Sequence, residues 1–531
     1  MTDSTSIIVA RAEVRKILGG LRPAANGPAA RSTINVVAGQ RHLAADQGIT
    51  ALVNAGVPFY QRNRALQRIA LIKAKNMSGK EMLVPGIISI DTPMMTRELG
   101  RCATWQRNDM KQKKWVEIDP PGAVATQILS MVGEWPFAPL NGIVQCPTLR
   151  RDGTLLGTAG YDEATGLVLT ASPPMPKIPA APSREEAQGA LASLSELLAE
   201  FPFIDAESKA VALSMMITPV TRGAMTVAPM HLVTKPSPGT GGSYLVDCAA
   251  MIATGERCAV ETMAPNYEET EKRLIGAALA GFPIIGLDNC RSLIAGDFFC
   301  QIVERPLLSL RALGRSDKYR VPNAFTMFAN GNNASVADDM VRRTIRCGLD
   351  ANLEHPETRA FKGNPLNLVQ QDRGKYIAAA LTIPLAYLAA RRPNQLPPLV
   401  SFEEWSTLVR EPLVWLGCAD PLKTQDALRT EDPSKITKAT LFDAWTNRIG
   451  VGPSQASTTK EIIEMAANDA PLHDALLAVA AQRFADRQID PKALGKWLSS
   501  QLGTIAAGTK LAVNRSDKAK PKWYLELHGE R

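Results

Sequence analysis

Glycine, serine and proline fill the segment KPSPGTGGS at residues 235–243, and a turn of this composition can bind phosphate groups. An apolar, strand-like run precedes the turn at 230–234, and an apolar-periodic helix follows it. A strand, a glycine-rich loop and a helix in this order direct backbone N–H groups and the helix dipole at an anion. We therefore predict that nucleotide phosphates bind over the loop residues Pro238, Gly239, Thr240, Gly241, Gly242, Ser243 and Tyr244.

This turn matches the phosphate-loop pattern G-x-x-x-x-G-K-[ST] in part. Ser243 stands where the pattern has the hydroxyl that binds Mg²⁺. Pro236 replaces the first glycine and Gly242 replaces the lysine, which removes the charge that bridges the β- and γ-phosphates. Either another cation compensates, such as Lys235 or an arginine of a neighbouring subunit, or ATP turnover is weak. A glycine-rich turn that binds no nucleotide is the alternative interpretation.

A carboxylate lies downstream, where the apolar strand-like run PIIGLDN ends in Asp288. A carboxylate at the end of a buried strand beside a phosphate loop can hold Mg²⁺, so we predict a magnesium site formed by Ser243 and Asp288. Asn289 follows at the position where a catalytic glutamate is often found. A general base must then come from elsewhere, and the candidates are Glu268, Glu269, Glu271 and Glu304.

Two further polar groups follow in the same order along the chain. The strand-like run FTMFANGNN ends in amides, and we predict that Asn332 orients the attacking water, with Asn330 and Asn333 as alternatives. The paired arginines Arg342 and Arg343 come shortly after that run, where they could reach the γ-phosphate of a neighbouring subunit.

The order GTGGS, IIGLDN, a basic hairpin, FANGNN and DMVRR resembles the AAA+ and superfamily 3-type helicase domains of phages and mobile genetic elements. The resemblance covers roughly residues 185–450. It implies ATP and Mg²⁺ as cofactors, a ring of subunits that is expected to be a hexamer, and activity as a DNA helicase in replication. A primase or another replication protein is a further expected partner.

Basic residues cluster in two segments outside the loop. The turn between two apolar-alternating runs carries Arg315, Lys318 and Arg320, and in the family resembled a hairpin at this place grips single-stranded DNA in the ring channel. Near the C-terminus, a pattern of three helices and two strands is typical of a winged helix. We predict that its third helix and interstrand loop contact duplex DNA through the cations Lys496, Arg515, Lys518, Lys520 and Lys522.

The elements that position these residues divide the chain into five predicted parts. The segment SPPMPKIPAAPS at 172–183 holds five prolines and predicts a linker. We expect an N-terminal α+β domain at 1–171 for DNA, partner or subunit contacts, and an α/β P-loop NTPase (AAA+-like) core at 184–360. A helical lid at 361–450 and a winged-helix-like DNA-binding domain at 451–531 complete the division.

Composition limits the remaining classes of protein. The 531 residues are 45% hydrophobic and 21% charged, which fits a globular protein rather than a disordered tail. The net charge of +8 permits a nucleic-acid partner without requiring one. Eight cysteines without a CxxC pair argue against a zinc site, and the absence of a signal-peptide pattern predicts a cytoplasmic protein without a membrane anchor. The alternative function is a catalytically weak P-loop protein that binds DNA and organises a replication initiation complex.

Overall fold

The structure is a computed structural model that describes residues 31–75, 81–170, 172–291, 293–311, 318–482, 488–514 and 521–528. These residues form two compact units. The second unit consists of Leu293–Gly296, Ser335–Arg342 and the described residues from Gln425 onward, and the first unit contains the rest. No helix in the described ranges is long and apolar enough to cross a membrane.

The described part of the first unit begins with short strands and helices. One sheet has the order β1-β5-β6 and a second has the order β2-β3-β4. A buried core that includes Trp105 lies between the first sheet and its helices. The elements are β1 (Ser32–Val36), α1 (Arg41–Asn54), β2 (Tyr60–Arg62), β3 (Ala65–Lys75), β4 (Glu81–Ser89), α2 (Thr92–Cys102), β5 (Ala103–Asp109), β6 (Lys114–Ile118), α3 (Gly122–Ser130), β7 (Gly142–Val144), β8 (Thr148–Leu149), β9 (Leu155–Leu156), β10 (Gly160–Asp162) and β11 (Leu167–Leu169).

The proline-rich segment 172–183 packs against a helix of the first unit. A Cβ atom added at Gly374 would overlap with the backbone oxygen of Pro174. At the end of the segment, the hydroxyl of Ser183 accepts the N–H of Glu186 at 3.2 Å, and the Glu186 carboxylate accepts the N–H of Ser183 at 2.7 Å. This confirms the capping box that the spacing S-x-x-E predicts at the start of the next helix.

A parallel five-stranded sheet lies at the centre of the first unit, as the apolar runs predict. Its strands are β12 (Met230–Lys235), β13 (Val260–Thr262), β14 (Ile284–Asp288), β17 (Thr326–Asn332) and β18 (Thr344–Gly348). They pair in the order β13-β14-β17-β12-β18. Because β17 pairs in parallel with both β12 and β14, the carboxyl ends of these three strands meet at one edge of the sheet.

Helices and an antiparallel hairpin complete the first unit. The hairpin strands are β15 (Leu307–Arg311) and β16 (Lys318–Pro322). The helices are α4 (Arg184–Leu197), α5 (Ala206–Thr221), α6 (Gly242–Thr254), α7 (Tyr267–Ala280), α8 (Asp297–Glu304), α9 (Pro365–Gln371), α10 (Arg373–Ala389), α11 (Glu403–Trp405) and α12 (Glu411–Trp415), and Ser406–Arg410 is a π-helical turn.

The second unit contains helices and one antiparallel sheet. Its helices are α13 (Thr424–Thr430, from Gln425), α14 (Pro433–Arg448), α15 (Thr459–Ala466), α16 (Ala470–Ala480) and α17 (Pro491–Ser500), followed by β19 (Ile505–Ala506), β20 (Thr509–Asn514) and β21 (Lys522–Leu527). Trp523 is 2% exposed and belongs to the core between these helices and the sheet. The predicted lid, 361–450, is divided between the two units after residue 424.

Candidate phosphate-binding site

The loop between β12 and α6 has the backbone of a phosphate-binding turn. Gly239 and Gly241 adopt φ angles of +80° and +105°, which residues that have a Cβ atom rarely adopt. Helix α6 begins at Gly242 directly after the second of these glycines. The first N–H groups of a helix have no partner within the helix and carry a partial positive charge, so this end of α6 can receive an anion.

Other loop residues have structural contacts. Thr240 is buried, and its hydroxyl donates to the backbone oxygen of Ser237 at 2.7 Å. Pro238 is exposed. The phenol of Tyr244 donates a short hydrogen bond to Asn364. The turn is therefore braced from within and from the segment that precedes α9.

Ser243, Asp288 and Asn330 form one polar cluster at the edge of the sheet. The amide Nδ2 of Asn330 donates to Ser243 Oγ at 2.8 Å and to Asp288 Oδ1 at 2.7 Å. Ser243 Oγ lies 3.5 Å from the same oxygen of Asp288. The cluster exists because β17 lies between the strands that carry the loop and Asp288, so its side chains reach both neighbours.

The donor set of this cluster fits a magnesium ion. In nucleotide sites Mg²⁺ takes oxygen ligands from one or two side chains, while phosphates and water complete the shell. Ser243 and Asp288 would supply a hydroxyl and a carboxylate. Among the described residues, no group of three or more His, Cys, Asp or Glu side chains is placed to hold a metal ion, so a site made by the protein alone is not found there.

A buried cation lies beside the cluster. Lys235, the last residue of β12, is 9% exposed, and its Nζ donates to Asn330 Oδ1 at 2.6 Å. Burial lowers the pKa of Lys235, and the negative charge of Asp288 opposes this effect. The sequence singles out Lys235 only as one of two sources of a compensating charge.

A second carboxylate, Asp247, was missed by the reasoning from sequence. It lines a small cavity together with Ser243, Asp288 and Asn330. Its Oδ1 accepts the N–H of Cys258 at 3.1 Å. Burial raises the pKa of Asp247, and the neighbouring Asp288 adds to the increase. The sequence contains one indication that Asp247 belongs to this site. A residue four positions after Ser243 lies on the same face of a helix.

Asn330 supplies the amide of this cluster, although the sequence analysis names it only as an alternative to Asn332. Residue 332 ends β17, two positions further along, or about 7 Å beyond Asn330. Its backbone is in register with Lys235, and the next residue, Asn333, donates its N–H to the Lys235 carbonyl at 2.9 Å. The hydrogen bonds of Asn330 join it directly to both predicted magnesium ligands.

The four glutamates proposed as general base lie on helices α7 and α8. Glu304 forms an ion pair with Arg343 and accepts a short hydrogen bond from Ser401. Glu268, Glu269 and Glu271 lie in the first turns of α7, and Glu269 pairs with Lys272 and Arg273.

The two candidate trans arginines differ in exposure. Arg343 is 4% exposed, and its Nε donates to the Glu304 carboxylate at 2.6 Å. This burial and this ion pair within its own chain favour Arg342 over Arg343 as the candidate for contact with a neighbouring subunit. Arg342 has a side chain that is 41% exposed and pairs with Asp339 three positions earlier.

The predicted DNA-contacting residues are described in part. Lys318 and Arg320 lie exposed on β16, paired with Arg311 and Ser309 of β15. Lys496 on α17 and Lys522 at the start of β21 are also exposed. The remaining predicted cations lie outside the described residues, and they are Arg315, Arg515, Lys518 and Lys520.

A cavity of about 480 Å³ opens beside the loop. The side chains of Phe201, Tyr244 and Phe361 contribute aromatic surface to its lining. The guanidinium of Arg359 lies 5.1 Å from the ring centre of Phe361 and donates to the Glu200 carbonyl at 2.7 Å. Aromatic and guanidinium faces of this kind can stack on a nucleobase.

Comparison with known proteins gives only distant likenesses. No family model matches the sequence, and no curated protein matches it. The chain is similar to the C-terminal region of NrS-1 in an apo form, with 12% identity and a TM-score of 0.35 over 87% of this chain and 96% of that one. It is also similar to the active helicase Cch of SCCmec type IV, with 11% identity and a TM-score of 0.35 over 89% and 97%. A JCV helicase shows 11% identity and a TM-score of 0.20 over 49% and 72%. At these values the likenesses do not define the function of this chain.

Proposed function

We propose that this chain is an ATP-dependent DNA helicase that works as a ring in the replication of a phage or a mobile genetic element. The observation that carries the nucleotide part is the cluster of Ser243, Asp288 and Asn330 beside the N-terminus of α6. A hydroxyl, a carboxylate and an amide meet there at the end of a glycine-rich loop. These are the groups that bind Mg²⁺ and orient water in phosphoryl transfer.

In this proposal the residues of the site divide the work. Backbone N–H groups of the loop bind the phosphates, and Ser243 and Asp288 would hold Mg²⁺, which would supply positive charge to neutralise them. Asn330 orients the attacking water, and the aromatic cavity beside Tyr244 receives the base. Arg342 contributes a positive charge to the site of a neighbouring subunit, which requires a ring.

The DNA part of the proposal rests on charge and on the motif order that resembles superfamily 3-type helicases. The β15–β16 hairpin presents Lys318 and Arg320 to solvent, where they can contact the phosphates of a single strand. The C-terminal helices and sheet, with Lys496 and Lys522 exposed, form the winged-helix-like module proposed to bind duplex DNA. A hexamer, a primase partner and a cytoplasmic location belong to the same proposal.

ATP hydrolysis with and without single-stranded DNA tests this function most directly. The parent protein should hydrolyse ATP in the presence of Mg²⁺, faster with DNA, and should separate a forked duplex. Asp288→Ala should lower the turnover by at least about 100-fold, because it removes a transition-state interaction. Asp443→Ala, which removes an exposed carboxylate on α14, is the matched control and should leave the turnover unchanged.

Two outcomes favour other functions. A parent protein that binds ATP and DNA but does not hydrolyse ATP would support the alternative, a P-loop protein that organises an initiation complex, which the replacement of the loop lysine by Gly242 favours. Turnover that Asp288→Ala leaves at the parent level would show that the magnesium site is wrongly assigned.

A further inference from the structure

Gly242 occupies the position at which a phosphate loop of this type carries its lysine, and the structure leaves no room for a side chain there. A Cβ atom built on Gly242 would overlap with Asn330 Oδ1 and would lie 2.8 Å from Nζ of Lys235. In real proteins a Cβ atom essentially never lies closer than 3.0 Å to a heavy atom of a non-neighbouring residue. The space next to Gly242 is therefore filled by the end of the Lys235 side chain and by the Asn330 amide.

Lys235 reaches this space from the sheet rather than from the helix. It is the last residue of β12, and its chain continues into the loop at Pro236. An ammonium group has three N–H donors, and Asn330 Oδ1 is its single acceptor among the residues that the structure describes. Two donors of a buried cation thus remain for a ligand at the edge of the sheet.

The same amide connects Lys235 to the predicted magnesium ligands. Asn330 accepts from Lys235 at 2.6 Å and donates to Ser243 and Asp288 at 2.8 Å and 2.7 Å. A single side chain, Asn330, therefore lies between the Lys235 ammonium and the predicted magnesium ligands Ser243 and Asp288. Phosphates bound beside Ser243 and Asp288 would therefore lie near a positive charge.

We infer that Lys235 has taken over the role of the missing loop lysine and binds the β- and γ-phosphates from the strand side. Gly242 is required because only a residue without a side chain leaves the space that the ammonium occupies. This inference rests on the proposed nucleotide site and adds the residue that supplies its positive charge. An arginine from a neighbouring subunit is then not needed for this charge.

The affinity for ATP relative to AMP tests the inference, because AMP lacks the phosphates that Lys235 would bind. Lys235→Met keeps the apolar stem and removes the charge. We expect it to weaken ATP binding at least about tenfold, which is the scale of one charge-assisted hydrogen bond, and to change AMP binding less than threefold. Lys272→Met, on the surface of α7, is the matched control and should change neither affinity. Isothermal titration calorimetry in the presence of Mg²⁺ measures both.

A relocated lysine gives a second test. In Lys235→Met/Gly242→Lys, the Asn330 amide no longer accepts from Lys235 and can turn away from position 242. We expect this double variant to recover at least half of the lost preference for ATP over AMP. Lys235→Gln, which keeps a neutral N–H donor on a side chain one bond shorter, should behave as Lys235→Met does and serves in its place if the methionine variant does not fold.

The outcomes separate this inference from the proposed function. A parent that prefers ATP, with ATP and AMP affinities that change by the same factor in Lys235→Met, would overturn the role of Lys235 alone. A parent that binds neither nucleotide would overturn the nucleotide site itself.

Discussion

The amide of Asn330 accepts a hydrogen bond from Lys235 at 2.6 Å across the pairing of β17 with β12. Because an ammonium can only donate, the oxygen of the amide must face Lys235 and its nitrogen must face Ser243 and Asp288. This one contact therefore fixes the direction of the three hydrogen bonds that Asn330 makes. Lys235 therefore orients Asn330 in addition to the role proposed for its charge.

Asn330 and Asn332 form a matched pair for testing which amide acts in hydrolysis. Asn330→Ala removes the contacts to Lys235, Ser243 and Asp288. It should lower ATP turnover at least about 100-fold, the usual scale for one polar group that stabilises a transition state. Asn332→Ala, in the same strand, should keep turnover within about threefold. An equal or larger loss in Asn332→Ala would restore the original assignment of Asn332.

Substitution of Arg343 should lower the free energy of unfolding, whereas substitution of Arg342 should leave it nearly unchanged. Arg343→Ala removes a buried guanidinium that pairs with Glu304 and should lower the unfolding free energy by roughly 1.5–3 kcal/mol, the scale of a hydrogen bond to a charged group, measured by urea titration. Arg342→Ala removes an exposed side chain and should change the stability by less than about 1 kcal/mol.

If Arg342 acts on a neighbouring subunit, its effect on hydrolysis should be complemented in mixed rings. Subunits with Arg342→Ala and subunits with Asp288→Ala should each be inactive alone and should regain part of the activity when mixed. A protein that stays monomeric in the presence of nucleotide and DNA, or a mixture without activity, contradicts the trans role.

Two basic surfaces should have separable effects on DNA binding. Arg315→Glu/Lys318→Glu should abolish unwinding and leave duplex affinity largely unchanged. Alanine at Lys518, Lys520 and Lys522 should weaken duplex binding, flatten its salt dependence by about one unit of slope per contact, and spare ATPase stimulation by single strands. Fluorescence anisotropy over a salt series measures both affinities. Unchanged affinities in both variants would identify these cations as ordinary solvated surface.

The stability of the first unit should depend on pH through His231. Its side chain is fully buried, its Nε2 lies 3.0 Å from Ser214 Oγ, and burial lowers its pKa from 6.5 to about 3. In the unfolded chain His231 becomes protonated below pH 6.5, whereas in the folded chain it becomes protonated only near pH 3. The free energy of unfolding therefore falls as the pH falls through this window. The loss from this group should be roughly 2 kcal/mol between pH 7 and pH 5.

His231→Gln is the comparison for this effect, because glutamine can bond to Ser214 and does not titrate. The parent and the variant should be unfolded with urea at both pH values. The parent should lose more stability on acidification than the variant does. Equal losses would show that another group causes the pH dependence.

The sequence alone determines the local elements of this protein. The glycine loop, the strand that ends in Asp288 and the capping box at Ser183 follow from short-range rules, because the residues that form each element are adjacent or one turn apart. The same rules indicate a parallel α/β core with helices and strands at the C-terminus. They also identify Ser243 and Asp288 as a pair, since strand ends in parallel sheets share an edge.

Only the tertiary structure decides which side chains meet at that edge. The position of β17 between β12 and β14 is a long-range pairing, and it brings Asn330 into contact with Lys235, Ser243 and Asp288. The ion pair between Arg343 and Glu304 joins residues 39 positions apart and is equally invisible in a local pattern. Local periodicity fixes which face of an element is apolar, but the neighbour that covers that face depends on how the whole chain packs.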